Sequence, residues 1–338
     1  ESVCGTVSYN NVAAQIEADK GEVVSRQAVW KKVTEQCKLF FQRIMEILIL
    51  SKVDNYDLNN MKRKSEYKRI LVQDSTIIKL PLRLFEIFSG VSNGKSKACN
   101  ARIQGTYDLI SEKFICFSID AYSKNDTKAA PELVLEQGDL AIRDRGYLTF
   151  DEIDRHIMNS ADFIYRYKYN TILFDAMTKK PIDITRELEK NSNLDIIVEL
   201  NNKKRTQVRL VTSQVSDQVA NNRRRKAKIE NKNKPSKGYL KQLAWSIFIT
   251  TIPKEKADFT MILNTYSLRW RIEIIFKSWK SNMEFTKIHN VSIIQLHVIL
   301  LARFIMIIIL TQYFFNQCRL IVKKHLNKYL SLLKVINY

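Results

Sequence analysis

The stretch that most constrains this chain covers residues 266–280 and reads Y-S-L-R-W-R-I-E-I-I-F-K-S-W-K. On an α-helix, which turns about 100° per residue, four of its polar residues fall on one stripe about a sixth of the circumference wide. They are Tyr266, Arg269, Glu273 and Lys280. A carboxylate flanked by cations on a helix face suggests a metal-binding acid beside phosphate ligands. A salt-bridged, solvated helix gives the same pattern, so the spacing alone leaves both interpretations open.

The charge balance narrows the class of partner. Among 338 residues, 55 are Lys or Arg and 35 are Asp or Glu, which gives a formal net charge of +20. This excess indicates a polyanion, nucleic acid before membrane. The five cysteines form no C-x-x-C pair and the four histidines have no metal-ligand spacing, which argues against zinc. Scattered thiols are typical of a reducing compartment, so we expect a cytoplasmic, nucleoid-associated protein. Because the chain starts at Glu1, we also expect it to lack its true N-terminus.

The N-terminal part predicts helices. A first apolar-sided pattern ends at Gly21, and Ser25 can cap a second helix that runs to Cys37. Helix, tight turn and helix is compatible with a helix-turn-helix DNA-binding region within residues 1–50, and equally with any small helical hairpin. The polar residues 51–66 predict a linker.

An α/β order follows over residues 67–170. Two apolar segments that predict buried strands end in aspartates, the first at Asp74 and the second, L-A-I-R, at Asp144. Between them, residues 101–110 and 113–122 predict a β-hairpin. We therefore expect a mixed sheet with both aspartates at its rim.

Residues 171–255 break this alternation with short β-rich pieces, and we expect a mostly β insertion there. Within it, residues 221–237 are too charged for a core and predict an exposed loop or a partly disordered arm. We expect this basic arm to bind DNA phosphates, through Arg223, Arg224 and Arg225. A solvated loop without function gives the same composition.

The C-terminal part is predicted to be helical. Residues 256–315 return to the core, and we expect one helix over residues 257–282 to carry Glu273. Residues 291–315 are long and apolar enough to span a bilayer. Charged and polar residues inside them argue instead for a buried helix beside the Glu273 helix. Residues 316–338 predict a basic amphipathic helix.

Three carboxylates stand out as a set: Asp74, Asp144 and Glu273. Together they match two-metal phosphoryl transfer, in which carboxylates hold two hard cations about 4 Å apart. Mg²⁺ or Mn²⁺ suits oxygen ligands. Taken singly, each carboxylate is more simply a cap or a surface group. The nearby Trp270 and Trp279 are interpreted as core packing.

At this point the residues resemble a known family. The spacing Tyr-(two)-Arg-(three)-Glu-(six)-Lys, which residues 266–280 meet at every position, resembles the signature of the DDE transposases of bacterial insertion sequences in the IS-four family. V-Q-D-S-T around Asp74 looks like that family's first aspartate motif, and D-R-G-Y beginning at Asp144 looks like its second. The resemblance covers about residues 70–315.

The resemblance implies an α/β fold with an RNase H-like mixed-sheet catalytic core over residues 67–170 and 256–315. A mostly β insertion interrupts this core, and helical N- and C-terminal parts flank it. The resemblance also implies that Asp74, Asp144 and Glu273 are the catalytic residues and bind two Mg²⁺ (or Mn²⁺) ions.

Further implications concern DNA. The resemblance implies that Tyr266, Arg269 and Lys280 contact DNA at the transposon end, which suits the ability of Arg and Lys to pair with phosphates and of Tyr to stack on a base. The implied reaction is nicking at the inverted-repeat ends, followed by attack of the freed 3′-hydroxyl on target DNA. The implied assembly is a homodimer in a synaptic complex, with no membrane partner. A truncated transposase that binds DNA without catalysis and a host-processing nuclease remain as alternatives.

Overall fold

The computed structural model describes residues 8–51, 66–90, 97–124, 133–230, 234–282, 285–332 and 335. The chain forms two compact units. Unit 1 comprises Glu1–Glu66, Gln73–Leu133 and Arg271–Tyr338, and unit 2 comprises Tyr67–Val72 and Val134–Trp270. Apart from its two end residues, the predicted linker at 51–66 lies outside the described residues.

The α-helices of the described residues are, in chain order, α1 (Tyr9–Lys20), α2 (Arg26–Lys32), α3 (Glu35–Leu50), α4 (Phe150–Met158), α5 (Ile184–Lys190), α6 (Asp217–Glu230), α7 (Lys237–Gln242), α8 (Phe259–Ser267), α9 (Trp270–Asn282), α10 (Ile293–Ile308) and α11 (Asn316–Leu326). A π-helical segment, Ile309–Phe315, joins the last two.

The strands are β1 (Arg69–Lys79), β2 (Asn100–Asp108), β3 (Lys113–Ala121), β4 (Asp139–Arg143), β5 (Asp162–Arg166), β6 (Leu173–Asp175), β7 (Asp195–Leu200), β8 (Gln207–Gln214) and β9 (Trp245–Thr250). The strand order in unit 1 is β3-β2-β1, and in unit 2 it is β1-β4-β5-β9-β8-β7-β6. β4 and β5 pair parallel, whereas β2 with β3 and β5 with β9 pair antiparallel. This mixed sheet with flanking helices confirms the predicted α/β class.

Helix caps explain the N-terminal helices. Gly21 is left-handed at the end of α1, and the Ser25 hydroxyl accepts the Ala28 N–H at the start of α2, as predicted. The prediction that the second helix reaches Cys37 is wrong. The Thr34 hydroxyl accepts the Cys37 N–H and starts α3 instead. The helix-turn-helix interpretation stays a prediction.

Aromatic rings form the core of unit 1. The Phe117 ring stacks on Phe304 at 4.3 Å between centroids, and Trp279 lies 6.1 Å from the same Phe304 ring. Gly105 on β2 allows close packing, because a Cβ there would come within 3.1 Å of the Phe276 ring. This packing holds α9, which carries Glu273, against the β2–β3 hairpin.

Buried arginines tie unit 2 together. Arg209 on β8 donates two hydrogen bonds to Asp195 on β7, at 2.7 and 2.9 Å. It also donates to the carbonyls of Ile252 and Ala257, which fixes the segment that leads into α8. Because these groups are paired, the buried charge is compensated.

The predicted basic loop is a helix over most of its length. α6 covers Asp217–Glu230, and its small residues Ala220 and Ala227 are buried on one side. Arg, Lys, Gln and Ala are good helix formers, and two buried alanines seven residues apart give the helix a packing face. The predicted loop is therefore wrong for this segment, because the two buried alanines give a highly charged stretch a face that packs.

α10, the π-helical segment and α11 form one helix, Ile293–Leu326, which by length and composition is apolar enough to cross a membrane. In unit 1 much of it is covered by protein. Arg303 is buried and donates to the carbonyls of Phe285 and Lys287. The predicted packing beside the Glu273 helix is confirmed by the contact of Phe304 with Trp279.

Candidate active site

Asp74 lies within a strand rather than at its end. β1 continues through Ser75 to Lys79, so the prediction of a rim position is wrong. The residues after Asp74 keep a two-residue alternation, with Thr76 and Ile78 buried, and this period sustains the strand. Asp74 is half-buried, and its Oδ1 accepts the Ser75 N–H at 2.8 Å.

Glu273 and Lys280 lie on α9 in unit 1, Glu273 in the first turn and Lys280 in the last. The ammonium group of Lys280 lies within electrostatic range of the Asp74 carboxylate. Burial lowers the pKa of Lys280 below its ordinary value, and the Asp74 charge opposes that shift. The structure therefore brings Asp74 and Lys280 together within unit 1.

The single helix predicted over residues 257–282 is two helices. α8 ends at Ser267, and α9 begins at Trp270. Between them the N–H groups of Leu268 and Arg269 donate to carbonyls three residues earlier, which is 3₁₀ rather than α geometry. The predicted polar stripe is thus not a stripe of one continuous helix.

Asp144 lies directly after β4, as predicted, and precedes a 3₁₀ turn at Arg145–Tyr147. Its carbonyl accepts the Tyr147 N–H at 3.0 Å, and Tyr147 is buried. The D-R-G-Y motif is therefore a compact turn that holds the half-buried Asp144 at the end of the strand.

Tyr266 and Arg269 lie close to Asp144 in unit 2. Burial raises the pKa of the Tyr266 hydroxyl, the Asp144 charge raises it further, and Arg269 opposes both effects. Tyr266 is only 8% exposed, and its ring packs on Phe248 at 4.9 Å. Part of the Tyr266 ring surface is therefore occupied by packing against Phe248.

A buried polar network supports the strand end next to Asp144. Arg143 is 3% exposed and donates to Glu152 at 2.7 Å and to the Tyr165 hydroxyl at 3.2 Å. Arg155 donates to the second oxygen of Glu152 at 2.5 Å. His156 in the same helix donates from Nδ1 to the Glu152 carbonyl at 2.6 Å, and burial lowers the pKa of His156 to about 4.

Sequence reasoning missed this network. An arginine inside an apolar strand, L-A-I-R, was the available signal. Its partner Glu152 lies on the following helix, and only the packing of α4 on the sheet brings the two together.

The donor chemistry of the three proposed ligands fits a hard cation, because all are carboxylates and all are half-buried. In the described part of the chain, no group of three or more His, Cys, Asp or Glu side chains is arranged to hold a metal ion.

The three arginines predicted to bind DNA differ in availability. Arg223 donates to the carbonyls of Leu243 and Trp245 and to the Ser246 hydroxyl, which ties α6 to β9. Arg224 donates to the Leu240 carbonyl, whereas Arg225 is exposed. Their DNA-binding role stays a prediction, and the structure gives the first two a packing role as well.

The two tryptophans of the signature region also differ. Trp279 is 1% exposed, so its predicted core role is confirmed. Trp270 is 59% exposed, so the same prediction for Trp270 is wrong. Trp270 follows the 3₁₀ turn, and the centroid of its ring lies 5.8 Å from the guanidinium carbon of Arg269.

Comparison with known proteins places these residues in a family. The family model described as "Transposase DDE domain" matches residues 66–309, which include both aspartate motifs and the 266–280 signature. Two transposases of Bacillus thuringiensis are similar over 94% of this chain. The transposase for insertion sequence element IS231E (subsp. finitimus) is 26% identical, and the match covers 71% of its own length. The transposase for insertion sequence element IS231F (subsp. israelensis) is 25% identical, and the match covers 72% of its own length.

A transposase for insertion sequence element IS1151 of Clostridium perfringens is 22% identical over 94% of this chain and 72% of its own length. Among solved structures, the piggyBac transposase synaptic complex with hairpin DNA aligns with a TM-score of 0.40 and 10% identity, over 99% of this chain and 77% of that one. The match of the family model over most of the chain, with its motifs on β1, after β4 and across α8 and α9, shows that the protein belongs to the transposase DDE domain family.

Proposed function

We propose that this protein is the transposase of an insertion sequence, which nicks DNA at the element's ends and transfers the freed 3′-hydroxyl to target DNA. The observation that carries the proposal is that each unit places a motif aspartate within electrostatic range of signature residues. Asp74 interacts with Lys280 in unit 1, and Asp144 interacts with Tyr266 and Arg269 in unit 2.

The proposed ligands of the catalytic metal are Asp74, Asp144 and Glu273. Their half-buried carboxylates offer oxygen donors while keeping access to solvent and substrate. Two Mg²⁺ or Mn²⁺ ions, when bound, supply Lewis acidity for the attacking and leaving oxygens. The RNase H-like core implied by the family accounts for acids on strands and on a later helix.

The proposed role of the cations is to hold the DNA backbone. Arg269 and Lys280 pair with phosphates next to the reacting one, since guanidinium and ammonium groups make charge-assisted bonds to phosphate. Tyr266, with its ring packed on Phe248, presents its hydroxyl rather than its face. The exposed Arg225 of α6 extends the basic surface for non-specific contact.

The reaction has two steps. In the first, a water oxygen attacks phosphorus at the element end and the bond from phosphorus to O3′ breaks, leaving a 3′-hydroxyl and a 5′-phosphate. In the second, that 3′-hydroxyl attacks a target phosphate, forms a new phosphodiester and releases a target 3′-hydroxyl. No residue of the protein forms a covalent intermediate.

The proposed setting follows from this chemistry. Two element ends must be held together for coordinated joining, which a homodimer in a synaptic complex provides. A net charge of +20 suits DNA in the cytoplasm, in association with the nucleoid. We propose no membrane partner, because the long apolar helix packs in unit 1.

The test is a plasmid assay with inverted-repeat ends, in Mg²⁺ or Mn²⁺ and in EDTA. Wild type is compared with Glu273→Gln, which keeps the shape of the side chain and removes its charge. We expect nicks at the repeat ends with metal only, and none with the variant. DNA retention without nicking by wild type would contradict catalysis and leave a DNA-binding remnant, whereas nicking without joined products would indicate a nuclease.

A further inference from the structure

A cleft of about 720 Å³ lies in unit 1, and none of the six signature and motif residues lines it. Its walls are formed by the start of α1, by α2, by a 3₁₀ turn at Leu82–Leu84, and by the segment before α10 with the first turns of α10. Arg26, Gln27, Trp30, Arg83, Asn290 and Gln295 are among its lining residues.

The chemistry of the lining suits a nucleotide. Two arginines, Arg26 and Arg83, face no acidic residue among those that line the cleft. Trp30, on α2, is 53% exposed. The side chains of these three residues make no hydrogen bond or ion pair with any other residue that the structure describes. Arginine binds phosphate, an exposed indole stacks on bases, and Asn and Gln amides read base edges.

The size of the cleft separates an unpaired nucleotide from a duplex. Its volume of about 720 Å³ falls within the roughly 300–1,000 Å³ typical of small-molecule pockets. A double helix is far too wide for such a space, and its bases present no free face to a tryptophan. A single base turned out of the stack, with its phosphates, fits both the volume and the aromatic ring.

The cleft is joined to the strand of Asp74 by a short piece of chain. β1 continues past Asp74 to Lys79, and the 3₁₀ turn Leu82–Leu84, which contains the cleft residue Arg83, follows it.

We propose that this cleft binds one unpaired nucleotide of the DNA substrate. Arg26 and Arg83 hold its phosphates, and Trp30 stacks on its base. That the polymer is DNA rests on the proposed function, while the nucleotide chemistry rests on the cleft alone. This differs from the predicted helix-turn-helix mode, in which a helix lies in the major groove of a duplex.

The test uses the full chain in EDTA, so that cleavage plays no part. The probes are a blunt duplex and the same duplex with a five-nucleotide unpaired extension that contains 2-aminopurine. Wild type is compared with Trp30→Ala, Trp30→Phe and the double variant Arg26→Ala/Arg83→Ala. Arg43→Ala, an exposed arginine of α3 outside the cleft, is the matched control.

We expect Trp30→Ala to weaken binding of the extended duplex by about 5- to 150-fold and to abolish the quenching of 2-aminopurine, with little change for the blunt duplex. Trp30→Phe should restore most of both. The double arginine variant should reduce the slope of log K against log salt by about 2. Arg43→Ala should match wild type with the extended duplex.

Equal affinities of wild type and all cleft variants for the extended duplex would overturn the proposal, as would quenching that survives in Trp30→Ala. A change of oligomeric state in these variants would instead identify the cleft as an interface between copies. The proposed function fails separately: a wild type that quenches as expected but never nicks plasmid DNA with metal retains the cleft and loses the catalysis.

Discussion

Asp74 and Asp144 follow the same sequence pattern, an apolar strand that meets an aspartate, yet they have different surroundings. Asp144 ends its strand and precedes a tight turn. Asp74 lies inside its strand, which continues to Lys79. A carboxylate on a strand therefore needs no strand end to be accessible, because a strand can present it from its face.

The support behind the two aspartates differs as well. Next to Asp144, the buried Arg143 is held by Glu152 and the Tyr165 hydroxyl. In unit 1, β2 and β3 are covered by aromatic rings, with Phe114 only 5.1 Å from Trp279. A polar network fixes geometry through directional bonds, whereas an aromatic core fixes it through packing. Substitutions in each unit can test this contrast.

The largest effect should come from the aspartates themselves. We expect Asp74→Asn and Asp144→Asn each to reduce cleavage by about 10³-fold or more, as with other groups that stabilise charge in a transition state. The plasmid nicking assay measures this, with DNA affinity as the control because neither variant removes a cation. Normal cleavage by either variant would contradict the assignment of that aspartate as a catalytic residue.

The second effect concerns the polar support of Asp144. Arg143→Met should lower the free energy of unfolding by about 3 kcal/mol, since it removes the donor to the buried Tyr165 hydroxyl and leaves Glu152 paired with Arg155 alone. Urea unfolding measures the change. The neighbouring Arg145 is exposed, and Arg145→Met should stay within about 0.5 kcal/mol of wild type. Equal behaviour of the two variants would mean that the network has no structural role.

The third effect is an acid sensitivity of the same network. Burial lowers the pKa of His156 to about 4, so between that pH and an ordinary value near 6.5 the unfolded chain binds more protons. The contribution of neutral His156 to the free energy of unfolding is therefore fully present above about pH 6.5. It falls by about 3 kcal/mol as the pH drops to 4. His156→Gln should lose this difference. Parallel stability curves for wild type and variant would contradict the prediction.

The smallest effects are shifts in titration. Asp144→Asn should lower the pKa of the Tyr266 hydroxyl and Arg269→Gln should raise it, because the carboxylate raises that pKa and the guanidinium lowers it. In unit 1, Asp74→Asn should lower the pKa of Lys280 further, since Asp74 opposes the effect of burial. Carbon-13 NMR of labelled Tyr and Lys measures both. Absence of these shifts would show that these groups are not neighbours.

Local signals in the sequence predicted much of the fold. Gly21 and Ser25 mark a helix end and a helix start through bonds to residues within four positions, so no distant contact is needed. The hairpin of β2 and β3 is equally local, because Asp108 accepts the Ile110 and Ser111 N–H groups in its turn. The residues proposed as the catalytic site were likewise found from spacing and resemblance.

Other features depended on distant contacts. α6 forms in a run of charges because Ala220 and Ala227 are buried and Arg223 bonds to the Leu243 carbonyl. Trp270 and Trp279 lie on the same helix, yet only Trp279 meets the aromatic core. Neither outcome follows from residues nearby in the sequence.

By itself, the sequence determined the family, the motif residues and most helix starts, because these depend on residue identity and on bonds within a few positions. Only the tertiary structure decided that β1 continues past Asp74, that the signature stretch is two helices, and that Arg143 is buried beside Glu152. The physical reason is that these features are settled by packing between segments far apart in the chain, where burial outweighs local propensity.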